Sequence, residues 1–477
     1  MIGTLPDTCW MRWVRRFIRS LALAVAALAA FACAPQPVAR PHRPNLVLVL
    51  ADDLGFADLG AYGSRFYETP HIDRLAQAGV RFTQAYTAGS VCSPTRASIV
   101  TGKYPVRTGI TDFIPGMPAA GLPLVTPGSR TALALDELTL GEALQAGGYQ
   151  TFYAGKWHLG GAGFTPHEQG FEVWIDDQTL GRAVDDWRVS ERLTDAALRF
   201  LDERDRERPF FMMLGYHEPH IPILSYPNHV DHFRAKAAAV TSTGPHERAE
   251  RDARTRLVQD DPAYASEVAG LDDEVGRLCA GLERDGIAQD TVVVFLSDNG
   301  GLSTLAAEAG PTANAPLRAG KGWLYEGGIR VPLIVRGPGI GPAGAVSDVP
   351  LISNDLYPTL LDLAGLPLRP EQHRDGVSFA ALLWGGAPPA PRPFFWHYPH
   401  YHGSGWAPGG AVRDGRWKLI ELFAEARVEL YDLETDPGET RDLAASDPEE
   451  VESLRAELAA WRRELGAAMP TPRAATH

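Results

Sequence analysis

The tightest constraint on the fold is a set of short, unbroken apolar runs that each end in polar residues. Asn45-Leu-Val-Leu-Val-Leu50, Pro209-Phe-Phe-Met-Met-Leu214, Thr291-Val-Val-Val-Phe-Leu296 and Val331-Pro-Leu-Ile-Val335 lack the alternation of a half-exposed strand. They predict strands buried on both faces, as in the middle of a parallel or mixed sheet. Helical patterns separate them. Thr139-Leu-Gly-Glu142 is a capping box whose helix stops at Gly147-Gly148. Residues 193–201 read as a helix, and Tyr264, Val268, Leu271, Val275, Leu278 and Leu282 recur at helical spacing. The alternation predicts an α/β sheet covered by helices.

Reactive side chains follow the strands. Asp52-Asp53, Lys156 and His158, His217 and His220, and Asp298-Asn299 all come directly after apolar runs. Open α/β sheets bind ligands at the carboxyl ends of their strands. Asp52, Asp53, Asp298 and Asn299 offer hard oxygens suited to Ca²⁺ or Mg²⁺; for the first pair, a solvated turn is the alternative. Arg96, Lys156 and Lys321 add positive charge, and His158 and His220 can carry protons. Such a set binds a tetrahedral oxyanion, sulfate or phosphate. Cys92-Ser-Pro94-Thr-Arg96 is followed by Thr101-Gly102. Pro94 suits a first helical turn, which puts Cys92 and Arg96 one turn apart on one face. A small buried cysteine is the bland alternative.

The 477 residues suggest two packed units. A net charge of −14 argues against nucleic acid as a partner. Cys9, Cys33, Cys92 and Cys279 make no disulfide framework, and Cys279 reads as a core residue. Residues 1–32 form a signal peptide, with a basic start, an apolar Leu21–Ala32 stretch and Ala30-Phe31-Ala32 as a cleavage site. The protein is therefore expected to be exported, either periplasmic or an outer-membrane lipoprotein anchored at Cys33. A Pro-rich tether (33–44) precedes a catalytic domain (45–375) and a C-terminal antiparallel-sheet subdomain with a terminal helix (376–470). Residues 225–262 read as a long polar insertion of little period. Trp417–Ile420 and Val428–Tyr431 read as half-exposed strands, and Asp447-Pro448 as the start of the last helix. Trp396–His402 reads as a substrate-side aromatic loop, with packing as the alternative.

With these motifs in place, the chain resembles the type I, formylglycine-dependent sulfatases of the alkaline phosphatase superfamily. The resemblance rests on Cys92-x-Pro94-x-Arg96 with Thr101-Gly102, Gly155-Lys156-Trp157-His158-Leu159-Gly160, Ser297-Asp298-Asn299-Gly300 and Leu317-Arg-Ala-Gly-Lys321-Gly. It implies an alkaline-phosphatase-like sheet sandwiched by helices, with a smaller C-terminal α+β domain. It implies hydrolysis of aryl or carbohydrate sulfate esters. Cys92 would be oxidised to formylglycine by a maturing enzyme, and its hydrate would attack sulfur. Asp52, Asp53, Asp298, Asn299 and modified Cys92 would bind calcium. Lys156 and Lys321 would absorb charge on the sulfate, and Arg96 would orient the nucleophile. His220 or Lys321 would protonate the leaving alcohol, with His220 chosen over His217 because it precedes x-Pro. His158 would take the proton that regenerates the aldehyde. The alternatives are a phosphodiesterase or phosphonate monoester hydrolase on the same scaffold, and a non-catalytic sulfoglycan-binding protein.

Overall fold

The computed structural model describes residues 43–176, 186–240 and 244–473. The expected signal peptide and nearly all of the tether lie outside these residues, as does Cys33. The strands of the main sheet are β1 (Asn45–Ala51), β2 (Val80–Tyr86), β3 (Gln150–Gly155), β4 (Val173–Ile175), β5 (Phe210–Gly215), β6 (Thr291–Ser297), β7 (Arg330–Arg336) and β8 (Ala345–Ser347). Their order is β8-β2-β7-β6-β1-β5-β3-β4, and Leu351–Ile352 also pairs with β2. The β6-β1-β5-β3-β4 block is parallel. β7 runs antiparallel to both β2 and β6, so the sheet is mixed.

The unbroken apolar runs have the predicted cause. Leu46, Leu48 and Leu50 pack into a core on one side of the sheet, and Val47, Val49 and Ala51 into a second core on the other. On the first side lie α1 (Cys92–Thr101) and the helix Leu356–Leu363; on the second lie α2 (Val189–Glu203) and α3 (Pro262–Arg284). The Thr139 capping box forms as predicted, with Glu142 N–H donating to Thr139 Oγ1. Asp261 caps α3 by accepting from the N–H groups of Ala263 and Tyr264.

A smaller antiparallel sheet follows, built from β9 (Phe394–Tyr398), β10 (Gly409–Asp414), β11 (Trp417–Leu422) and β12 (Arg427–Asp432). α4 (Pro448–Leu465) packs on it through Leu454, Leu458 and Trp461, with Asp447 capping its first turn. Three expectations need correction. β11 and β12 are mostly buried, because α4 and the Trp323–Tyr325 segment cover them. Trp396–Tyr398 belongs to a buried strand: His397 bonds to the Ala468 carbonyl, and His400 bonds to Thr111. Residues 225–262 are not structureless. They carry a helix (Val230–Ala238) and a hairpin (Glu247–Glu250 with Ala253–Arg256) that pairs with Thr304–Leu305.

Candidate active site

Strand register brings the site together. Ala51 pairs with Ser297, Leu50 with Gly215, and Gly155 with Gly215. The next residues along these strands are Asp52-Asp53, Asp298-Asn299, Tyr216-His217 and Lys156, so all leave the sheet at one edge. At Gly155 a Cβ would lie 2.1 Å from the Gly215 carbonyl oxygen, which only glycine permits. α1 begins at the same edge, and the segment carrying Lys321 returns there before β7. The ten residues of α1 are all buried, and Gly102 ends it in the left-handed region at φ 68°. That accounts for the Thr101-Gly102 pair, since a Cβ at Gly102 would meet His373 Cβ at 2.3 Å.

Cys92 Sγ lies 3.3 Å from Asp52 Oδ1 and 4.0 Å from Asp53 Oδ1, and Lys156 Nζ is 3.5 Å from the sulfur. Lys156 also pairs with Asp52 Oδ2. Lys321 Nζ is 2.7 Å from Asp53 Oδ2, and His220 Nε2 is 3.7 Å from the same oxygen. Arg96 grips Asp298 Oδ2 through Nε at 2.9 Å and Nη2 at 2.8 Å, and donates from Nη1 to the Lys156 carbonyl. Asn299 Nδ2 donates to Asp53 Oδ1 at 2.7 Å. All nine predicted site residues with a carboxylate, amide, thiol, ammonium, guanidinium or imidazole are thus gathered at one sheet edge. His158 sits there with Nε2 on the Ile114 carbonyl at 2.6 Å.

Burial dominates the electrostatics. It works against the charge on Asp52, but Lys156, His220 and Arg96 outweigh it and hold the carboxyl well below its ordinary range. Asp298 goes the other way: burial and Asp52 push it up to about 7. Burial, Asp298 and Asp52 push the Cys92 thiol up. Burial and Lys156 lower His158 to about 3, and burial and Lys321 lower His220 to about 4. Both imidazoles are therefore neutral near pH 7. His158 Nδ1 is buried with no hydrogen-bond partner among the described residues, which leaves a ring nitrogen available for a proton.

The residues fit a hard divalent cation. Asp52, Asp53, Cys92 and His220 offer ligand atoms within 4.8 Å of one another. Asn299 Oδ1 is buried without a partner among the described residues, an orphan that an oxygen-seeking cation would satisfy.

The site opens into a cleft of about 1140 Å³ lined by Cys92, Lys156, His158, His220, Lys321 and others. His217 also lines it. His402 does too, and sequence reasoning had not singled it out within the 396–402 stretch. The signal was its place just past β9, on the loop that returns over Lys321.

A family model described as Sulfatase matches residues 44–366, and one described as N-sulphoglucosamine sulphohydrolase, C-terminal, matches residues 319–465. Human arylsulfatase A is 32% identical, covering 94% of this chain and 92% of that protein. A sulfatase of Formosa agariphila is 31% identical, covering 85% of each. Among solved structures, Ps i-CgsB in complex with k-i-k-neocarrahexaose aligns with a TM-score of 0.71 at 28% identity, covering 88% of this chain and 92% of that one.

Proposed function

The chain belongs to the sulfatase family and is a sulfuric ester hydrolase, and from that premise we propose that it acts through a formylglycine made from Cys92 beside a calcium ion. The observation that carries this reading is the meeting of Cys92 Sγ with Asp52 at 3.3 Å and Lys156 at 3.5 Å, on a buried helix start. Asp52, Asp53, Asp298, Asn299 and the side chain at 92 would hold the ion, which would supply Lewis-acid polarisation of a sulfate oxygen. Formylglycine at 92 would supply an aldehyde hydrate as nucleophile.

The chain's own residues account for the rest. Three carboxylates (Asp52, Asp53, Asp298) face three cations (Arg96, Lys156, Lys321). These formal charges cancel, so a divalent ion would leave the pocket net positive, as an anionic ester requires. Lys156 and Lys321 then neutralise charge on the sulfate oxygens in a water-poor site, where such charge counts most. Arg96 is fixed by Asp298 and the Lys156 carbonyl, and orients the group at 92. His220 protonates the departing alcohol in preference to Lys321. Burial and Lys321 make its imidazolium a ready donor, whereas Asp53 strengthens the hold of Lys321 on its proton. His158 accepts a proton at Nδ1, while its Nε2 stays on Ile114.

Export through residues 1–32, a lipid at Cys33 and a dedicated maturing enzyme complete the proposal. The test is mass spectrometry of the Cys92 peptide from the native host, paired with sulfate release by the wild type and Cys92→Ala. The expected result is an aldehyde mass and no turnover by the variant at unchanged thermal stability. A plain thiol in active enzyme overturns the assignment. An aryl phosphodiester is the control, and faster turnover of it would favour the phosphodiesterase reading.

A further inference from the structure

Resting on sulfate ester hydrolysis at this site, we propose that the outer cleft is built for an uncharged ring alcohol, a phenol or an alicyclic alcohol, and not for a polyanionic oligosaccharide. The argument is the mismatch between the two ends of the cleft. At the inner end, Lys156 and Lys321 are the only lysines among the described lining residues, and no arginine lines it. Both lysines are already engaged, one with Asp52 and the other with Asp53. They therefore belong to the sulfate that is cut, and neither is free for a second anionic group.

Outside that point the wall is apolar. Phe113, Met117, Trp174, Ile221 and Leu305 line it. Met117 is 37% and Ile221 46% exposed, so large apolar side chains stand open to solvent at the rim. Exposed apolar surface gathered around a concave site marks what the site receives. The one acidic side chain among the described lining residues is Asp176. A remote sulfate or carboxylate on the substrate would meet that carboxylate and lose hydration against apolar surface, with no cation to compensate.

His402 fits the same reading. Its Nδ1 accepts the Ser404 N–H at 3.2 Å, its ring stands edge-on to Phe113 at 5.6 Å, and it lines the cleft. Burial and Lys321 keep it neutral, lowering it to about 3. With Nδ1 accepting, the proton sits on Nε2. That is a neutral donor suited to a hydroxyl or ether oxygen and of little use to an anion.

The test uses two substrates with the same reacting phenol: 4-methylumbelliferyl sulfate and the sulfate of 7-hydroxycoumarin-4-acetic acid. They differ in a remote carboxylate, so their intrinsic reactivities match. With aldehyde at position 92 confirmed and calcium present, kcat/KM should be about tenfold lower for the acid, through KM, as expected for one unfavourable charge placement partly screened by water. Met117→Lys should narrow that gap at least about threefold by improving the anionic substrate, the size of a single exposed charge contact. Equal turnover of the pair overturns the proposal. So does faster sulfate release from a disulfated glucosamine or a sulfated galactan oligosaccharide than from either coumarin. Sulfate release from none of these by aldehyde-bearing enzyme would overturn the function proposed above, a distinct result.

Discussion

Lys418 links the small sheet to the segment that carries Lys321, and its replacement gives a quantitative test of that link. Its ammonium is wholly buried, 2.9 Å from Glu326 Oε1 and 2.8 Å from Glu439 Oε1. Glu326 lies five residues beyond Lys321 and also accepts from Tyr86 Oη at 2.7 Å. Glu439 in turn accepts the Glu326 N–H at 2.7 Å. Lys418→Met keeps the length of the stem and strands two buried carboxylates. Breaking a buried ion pair by removing one partner costs ~3–5 kcal/mol. Here the loss has a release. Burial already pushes the Glu439 carboxyl up to about 7, so in the variant it can take up a proton. A carboxyl raised in the folded state favours folding at low pH, and that contribution fades as pH rises through the folded value. The deficit of the variant should therefore be small at pH 6 and grow towards pH 8, by at most about 1.4 kcal/mol per pH unit for one proton. Urea unfolding at both pH values measures it, and adding Glu439→Gln should recover about half of the pH 8 loss, since one of two stranded charges is gone. A loss below about 1 kcal/mol at pH 8, or one that grows on acidification, would refute the argument.

Other outcomes test the site directly. Lys321→Met should lower kcat/KM at least about 100-fold, the usual effect of deleting one charge-stabilising group in a water-poor pocket, while KM for sulfate esters changes less. Asn299→Leu removes the orphaned carbonyl oxygen; the rise in melting temperature that calcium gives the wild type should shrink, read by thermal denaturation with and without EDTA. Because burial and Asp52 push Asp298 up to about 7, the ion must displace a proton below that pH. Calcium affinity by calorimetry should thus fall by about tenfold per unit as pH drops below 7, with proton release detectable in buffers of differing ionisation enthalpy.

The central sheet was legible because strands buried on both faces cannot alternate. Val47 and Leu48 need opposite cores, so the run Leu46–Leu50 could only be an interior strand. The catalytic residues were legible for a related reason, since polar groups directly after such a strand must exit at one edge. What failed to show were pieces whose burial is decided far away in sequence. β9 reads as an aromatic loop until Trp396 is seen donating its indole N–H to the Thr87 carbonyl. The 247–256 hairpin reads as a charged insertion, because its stability comes from pairing with Thr304–Leu305 and from the Arg318–Glu250 ion pair. Neither contact leaves a local period. His402 escaped for the same reason: its ring is positioned by Phe113 and Ser404 together.

Two backbone conformations show how much the fold commits to this edge. Asp53 and His158 adopt φ values of 64° and 58°, in the left-handed region that non-glycine residues seldom enter. Each costs of order 1 kcal/mol, and such strain persists only where the surroundings over-determine it. At Asp53 they do: its N–H donates to Asp298 at 3.2 Å, while its carboxylate takes Asn299 and Lys321 at 2.7 Å each. At His158 the ring is tied to Ile114 across the cleft mouth. An extended backbone at either position would carry the strand onward and turn the side chain away from Cys92. The turn out of the sheet, and not the residue type alone, is what aims the carboxylate and the imidazole at one point.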